Sequence, residues 1–386
     1  MDYAFEHHKI YIGRHVRELP TPSLIINKSI IAQNINKLHD DVSRLGISFR
    51  PHLKTLKTLE ITRLMLGNGL YRKVVCSTIP EIVGSLPLVK EGLLDEAIFG
   101  MPVYKSVIPR LTALRKEIKI DLLVDSCDQL ALLESSGATW DVFIKIDVGA
   151  RRAGLATNSP RLKELLQAVE ASQSANLKGI YCHANHSYGC RTEESVVEML
   201  QHEVAEVAAA ASFVSTTRPL IVSIGATPTA HVIDRLNEKL PPNVTLELHA
   251  GNFPTNDLQQ VSTGVISINH QAIRVCADVV SVYPERNEAL INAGVIVLAR
   301  EASEYPGHGK VVDQQHWDVI RVSQEHGILG CTKQNVDEKV GNLFKVGEKV
   351  FLWCQHSCIT AAAFYAYFVV DENDIVIGTW IPWKGW

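Results

Sequence analysis

The chain of 386 residues is long enough for about two domains of ~150–200 residues each. Hydrophobic residues make up 46% and charged residues 21%, the balance of a globular chain, which excludes a disordered one. A formal net charge of -4 without a lysine–arginine cluster speaks against a nucleic-acid groove or a basic membrane-binding face. No apolar run approaches the ~20 residues of a bilayer span, and the charged opening MDYAFEHHKIYIGRHV has no signal-peptide core. The expectation is a soluble, cytoplasmic protein whose widely spaced cysteines are reduced thiols.

Residues 20–265 read as one domain. Apolar, β-branched runs at Ile47–Leu53, Lys73–Ser77, Glu96–Gly100, Asp121–Asp125, Trp140–Asp147, Lys178–His183, Leu220–Ile224 and Val244–His249 alternate with segments of helical spacing such as Arg161–Ala171 and Glu193–Ala211. Strand–helix units repeated in this way, with strands apolar throughout, predict a (β/α)8 TIM barrel. A doubly wound open sheet is the alternative, but no glycine-rich dinucleotide fingerprint follows the first strand. Residues 266–386 change character. Ala272–Tyr283, Ala289–Ala299, Trp317–Val322, Lys349–Trp353 and Phe364–Val370 are strand-like, and Pro306–Gln315 reads as a polar surface loop, which predicts a second, mostly β domain.

A barrel carries its reactive groups at the C-terminal ends of its strands, and its phosphate sites commonly on the loops after strands seven and eight. Those loops hold Gly225, Ala226 and Thr227, and Gly251 with Asn252. Small residues let backbone N–H groups close on a phosphate, and a threonine hydroxyl adds a donor; an ordinary turn is the alternative for each. Lys54 ends the first barrel strand behind Arg50 and His52, cationic neighbours that would lower the pKa of its amine toward that of a nucleophile. A strand-one lysine facing a phosphate site points to pyridoxal 5'-phosphate held as a Schiff base; an exposed or edge-paired lysine is the alternative. Further on, His356 and Cys358 stand two apart in a strand-like run, which puts both on one face.

At this point the chain resembles the alanine-racemase-like, fold-type-III pyridoxal-phosphate enzymes, specifically the fungal-type D-serine dehydratases and their D-threonine aldolase relatives. The resemblance covers nearly the whole chain and rests on LPTPSLIIN, RPHLKT, FIKIDVGARRAGL, HANHSYG, VSIGATPT, ELHAGNF, RVSQEHGIL and QHSCIT. It implies that Lys54, not Lys57, forms the internal Schiff base and acts as the Cα base. It places Arg152 near the cofactor ring, Tyr188 near cofactor and substrate, and Gly225, Ala226, Thr227, Gly251 and Asn252 around the phosphate. It makes His356 and Cys358 a metal site. Imidazole with thiolate favours zinc, one Zn2+ per subunit, over the harder ions that suit a carboxylate. A homodimer is implied as well, with residues 1–19 packing on the β domain.

The implied reaction is β-elimination of D-serine to pyruvate and ammonia by a carbon–nitrogen lyase, the zinc activating the β-hydroxyl. Leu56 and Asn185 depart from the family's usual histidine and glycine, so another D-3-hydroxy amino acid, or retro-aldol cleavage of the D-threonine aldolase type, stays open as the alternative. A pyridoxal-phosphate homeostasis protein is the non-enzymatic reading; such proteins resemble the barrel alone. Glu325 and His326 read either as a proton relay beside the metal or as a salt-bridged turn.

Overall fold

A computed structural model of the chain describes residues 7–214, 218–237 and 240–386. Two compact units compose it: Ile35–Phe253 with Trp383–Trp386, and the described residues up to Asn34 with Pro254–Pro382. The first strand, β1 (Ser23–Asn27), belongs to the second unit.

Eight strands follow in the first unit: β2 (Ser48–Pro51), β3 (Lys73–Cys76), β4 (Glu96–Pro102), β5 (Lys119–Val124), β6 (Trp140–Lys145), β7 (Ala175–Tyr181), β8 (Leu220–Ile224) and β9 (Val244–Ala250). All are parallel, β2 pairs with β9, and the bridge from His52 to Val75 joins the β2 end to β3, so the sheet closes into the expected (β/α)8 barrel. Runs such as KVVC and VFIK form buried strands because β-branched and aromatic side chains pack against helices outside and against each other inside. Val75, Ile98, Leu123, Phe143 and Tyr181 make one layer of that interior.

A second layer is ionic. Arg50, with no exposed surface, donates from Nε to Glu247 Oε1 at 2.8 Å and from Nη2 to Glu96 Oε1 at 2.7 Å, while Lys178 Nζ lies 2.6 Å from both Glu96 and Asp121. Arg50 is therefore ion-paired within the barrel core.

In the second unit follow β10 (Ile273–Tyr283), β11 (Glu288–Ile291), β12 (Gly309–Val311), β13 (Trp317–Val322), β14 (Gly327–Cys331), β15 (Lys349–Cys354), β16 (Tyr367–Val370) and β17 (Val376–Trp380). The order is β11-β14-β13-β12-β15-β10-β1-β16-β17, and β10 also pairs with β11, so the first six strands in that order close on themselves. The mostly β character expected of this region is present, with differences in detail. Of the Ala289–Ala299 run only residues 289–291 are strand-paired, in β11. Val295–Leu298 is a helical turn, since Gly294 sits so close to Ser323 O that a Cβ would come within 2.2 Å, and that approach overrides the β propensity of the valines. The Pro306–Gln315 loop contains β12, held between β13 and β15.

The division also falls elsewhere than at residue 265. Residues 20–34 and 254–265 belong with the β unit, because β1 pairs with both β10 and β16. Among the described residues no helix is long and apolar enough to cross a membrane.

Candidate functional site

A cavity of about 210 Å3 opens at the C-terminal ends of the barrel strands. Lys54 reaches it from beyond β2, Ser77 from beyond β3, Lys145 and Arg152 from the end of β6 and its loop, and Tyr181 and His183 from the end of β7. Lys54 is half-buried, and its backbone N–H donates to His52 Nδ1 at 3.3 Å. Burial, with Lys54 and other cations close by, holds His52, His183 and His249 well below the usual imidazole range, so all three are neutral at pH 7.

Lys145 is 4% exposed, and burial, then the charges of Arg152 and Lys54, lower its amine to about 8. Its ammonium lies 4.8 Å from the Tyr181 ring centroid, and that ring stacks on His249 at 4.2 Å. Three cationic side chains thus share a wall on which no carboxylate stands. Such a site favours an anion.

The two glycine-bearing loops meet beside this cavity. Gly225 has φ +142°, and a Cβ there would stand 2.0 Å from His249 O. The Gly225 carbonyl accepts from His183 Nδ1 at 2.7 Å, which fixes that ring's tautomer. Asn252 N–H donates to Thr227 Oγ1 at 3.2 Å, both residues being buried, and Gly251 lies close under His52. The structure therefore brings Gly225, Ala226, Thr227, Gly251 and Asn252 together. Besides Asn252 N–H, two more of the expected donors are already engaged: Gly225 N–H binds Glu203 Oε1 at 2.7 Å and Ala226 N–H binds Thr229 Oγ1 at 3.1 Å. Tyr188 is half-buried in the 3-10 turn Asn185–Gly189 and does not line this cavity.

His356 and Cys358 lie in the other unit. They are not on a strand: His356 precedes the helix Ser357–Ala363 and Cys358 stands in its first turn, so the same-face argument for an extended run does not hold. The helix start brings them together all the same, and the His356 imidazole hydrogen-bonds with Cys358. Its Nδ1 also lies 3.1 Å from Glu301 Oε2, and Ser357 N–H is held by buried Asp257 at 2.8 Å. Burial by itself would lower the His356 imidazole, but the Cys358 hydrogen bond and charge, with Asp257 and Glu301, raise it to about 10. An imidazole braced by a carboxylate and set against a thiol suits zinc. Among the described residues no group of three or more His, Cys, Asp or Glu side chains is arranged to hold an ion. Glu325 and His326 are exposed in the turn between β13 and β14.

Lys145, His183, His249 and Glu203 were not read from the sequence as site residues. Lys145 gave the same signal as Lys54, a lysine at the end of an apolar barrel strand. Glu203 interrupts the apolar stripe Val196, Leu200, Val204, Val207 of its helix.

Two family models match the chain: "Alanine racemase, N-terminal domain" over residues 26–238 and "Putative serine dehydratase domain" over residues 272–370. The D-serine dehydratase of Schizosaccharomyces pombe is 39% identical over 98% of this chain and 95% of its own length. That of Saccharomyces cerevisiae is 34% identical over 97% of this chain and 98% of its own length. The solved structure of D-threo-3-hydroxyaspartate dehydratase from Delftia sp. HT23 superposes with a TM-score of 0.85 at 24% identity, covering 96% of this chain and 100% of that one.

Proposed function

The chain belongs to the D-serine dehydratase family of alanine-racemase-like, pyridoxal-phosphate-dependent lyases, and from that membership we propose that it converts D-serine to pyruvate and ammonia with the help of zinc. One observation carries the reading: Lys54 shares a cavity with Lys145, Arg152 and neutral histidines on a wall without a carboxylate. The residues fit pyridoxal phosphate. His249 Nε2 is buried without a hydrogen-bond partner, and its ring stacks on Tyr181 in the cavity wall.

Lys54 would hold the cofactor through its amine, with Gly225, Ala226, Thr227, Gly251 and Asn252 around the phosphate and Arg152 and Tyr188 toward ring and substrate. Bound there, pyridoxal phosphate supplies an electron sink for charge developing at Cα. Freed when the substrate's own amine takes its place, the Lys54 amine would accept the Cα proton, beside the neutral imidazoles of His52 and His183. His356 and Cys358 would hold one zinc per subunit, Glu301 orienting the imidazole; zinc supplies Lewis acidity toward a β-hydroxyl oxygen, since hydroxide is otherwise a poor leaving group. In sum D-serine loses its Cα proton and β-hydroxyl, and hydrolysis of the resulting enamine releases ammonia. The same likeness supports a cytoplasmic homodimer.

The test is visible absorbance of the purified protein followed by D-serine with a coupled pyruvate assay. Lys54→Ala is expected to lose the cofactor band. His356→Ala and Cys358→Ala should keep the band and lose turnover by roughly a hundredfold or more, as should chelation. Glycine and an aldehyde from D-threonine, without pyruvate from D-serine, would replace this reading with aldol cleavage.

A further inference from the structure

Glu203 stands on the helix Glu193–Ala211, in the middle of the stripe that packs on the barrel, and it has no exposed surface. Its carboxylate is shared among groups from the ends of two neighbouring strands. Oε1 accepts from Gly225 N–H at 2.7 Å and from Cys182 Sγ at 3.3 Å; Oε2 accepts from Thr229 Oγ1 at 3.1 Å; and the Ala184 backbone N–H donates to the same group. One side chain thus ties the end of β7 to the loop after β8.

The residue it grips most closely is the one least able to hold its own shape. Gly225, at φ +142°, is in a region that only glycine enters freely, and glycine constrains neither of its torsions. Its peptide is pinned from outside on both sides: the N–H by Glu203, the carbonyl by His183. The peptide that carries this carbonyl is held at its other end as well, because Ala226 N–H binds the Thr229 hydroxyl that Glu203 already holds. What is left facing Asn252 is Thr227 Oγ1. Glu203 thus holds the loop at two points, Gly225 and Thr229.

We propose that Glu203 is the positioning residue of the cofactor-phosphate cradle: it touches no cofactor atom, and it fixes Gly225 and Thr229 so that Thr227 and the Gly251–Asn252 loop meet the phosphate. This rests on the pyridoxal-phosphate reading of the cavity. A merely structural carboxylate would weaken every ligand alike when removed, whereas a positioning residue acts on the phosphate alone.

The test compares two probes on the cofactor-free full chain, pyridoxal phosphate and pyridoxal, which lacks the phosphate. Each is titrated by absorbance into wild type, Glu203→Gln and Glu203→Ala. Wild type is expected to prefer pyridoxal phosphate. Glu203→Ala should reduce that preference by about tenfold or more, the effect of losing a buried hydrogen-bond hub, with pyridoxal affinity unchanged. Glu203→Gln keeps an acceptor for Gly225 N–H and should retain most of it. Where Glu203→Ala does not fold, Thr229→Val takes its place and should show a smaller fall of the same ratio. An unchanged ratio in the alanine or valine variant, or equal loss of both ligands, overturns the proposal. Failure of wild type to bind either ligand sinks the cofactor reading itself, and the proposal with it.

Discussion

Lys145 is held in the cavity at a cost that pH can expose. Its amine is lowered to about 8 from 10.5, so between those values the folded chain binds fewer protons than the unfolded one, and stability rises with pH across that window. Below about pH 8 the folded protein carries the full penalty of a buried ammonium set beside Arg152 and Lys54. Lys145→Met is therefore expected to stabilise the cofactor-free protein at pH 7 by on the order of 2–3 kcal/mol. The advantage should fade as pH approaches 10.5. Paired urea melts across this range check it; a methionine variant no more stable than wild type at pH 7 would contradict the account. Of the residues in this cavity, Lys54 was legible because a lysine ending an apolar strand is chemically conspicuous. Its electrostatic setting was not. Arg50 and His52 are sequence neighbours, yet the first is ion-paired to Glu247 and Glu96 and the second is neutral, while Lys145 and Arg152 arrive from another strand.

At the scale of elements, the four residues after the β unit return to the barrel. Trp383 N–H donates to Lys57 O at 2.8 Å, and the indole lies so close over Gly84, on the helix Ile79–Lys90, that a Cβ there would come within 2.2 Å of the ring. Lys57 in turn pairs with buried Glu81 at 3.1 Å, three residues beyond Lys54 in the chain. Gly84→Ala decides between two effects. Helix propensity alone predicts a gain of up to about 1 kcal/mol, while overpacking predicts a loss of about 1–3 kcal/mol. The steric effect is expected to win, giving a lower urea midpoint, and Trp383→Ala should abolish the loss in a double-mutant cycle. A stabilised Gly84→Ala protein would mean that the indole does not occupy this seat. The barrel strands were legible because parallel strands buried on both faces read as continuous apolar runs. The His356–Cys358 segment was misread as a strand because Ser-Cys-Ile-Thr carries β-type residues, and the helical turn is set by Asp257 receiving Ser357 N–H from a hundred residues away.

For the whole molecule, the β unit is built from two stretches of chain. β1 lies between β10 and β16, with Ser23–Ile26 paired to Ile273–Cys276 and Leu24–Asn27 paired to Tyr367–Val370. Residues 266–386 alone would leave β16 and β17 with no strand joining them to β10. That fragment is expected to show no cooperative unfolding and poor amide dispersion by NMR, and a folded, cooperatively melting fragment would refute this account of the unit. No composition shift marks residue 34 or residue 254, because a central strand can be donated by any part of the chain with the right pattern.

What the sequence determined by itself was local and periodic. The alternation that makes the barrel, the lysine at a strand end, the small residues of two loops and the His-x-Cys pair all follow from residue type and spacing over a few positions. What only the tertiary structure decided was which distant groups meet: Glu203 with Gly225, Lys145 with Arg152 and Tyr181, Glu301 with His356, and β1 with β16. The reason is physical. Burial and charge neutralisation are properties of an environment assembled from residues far apart in the chain, and each of these contacts exists only once the units have closed.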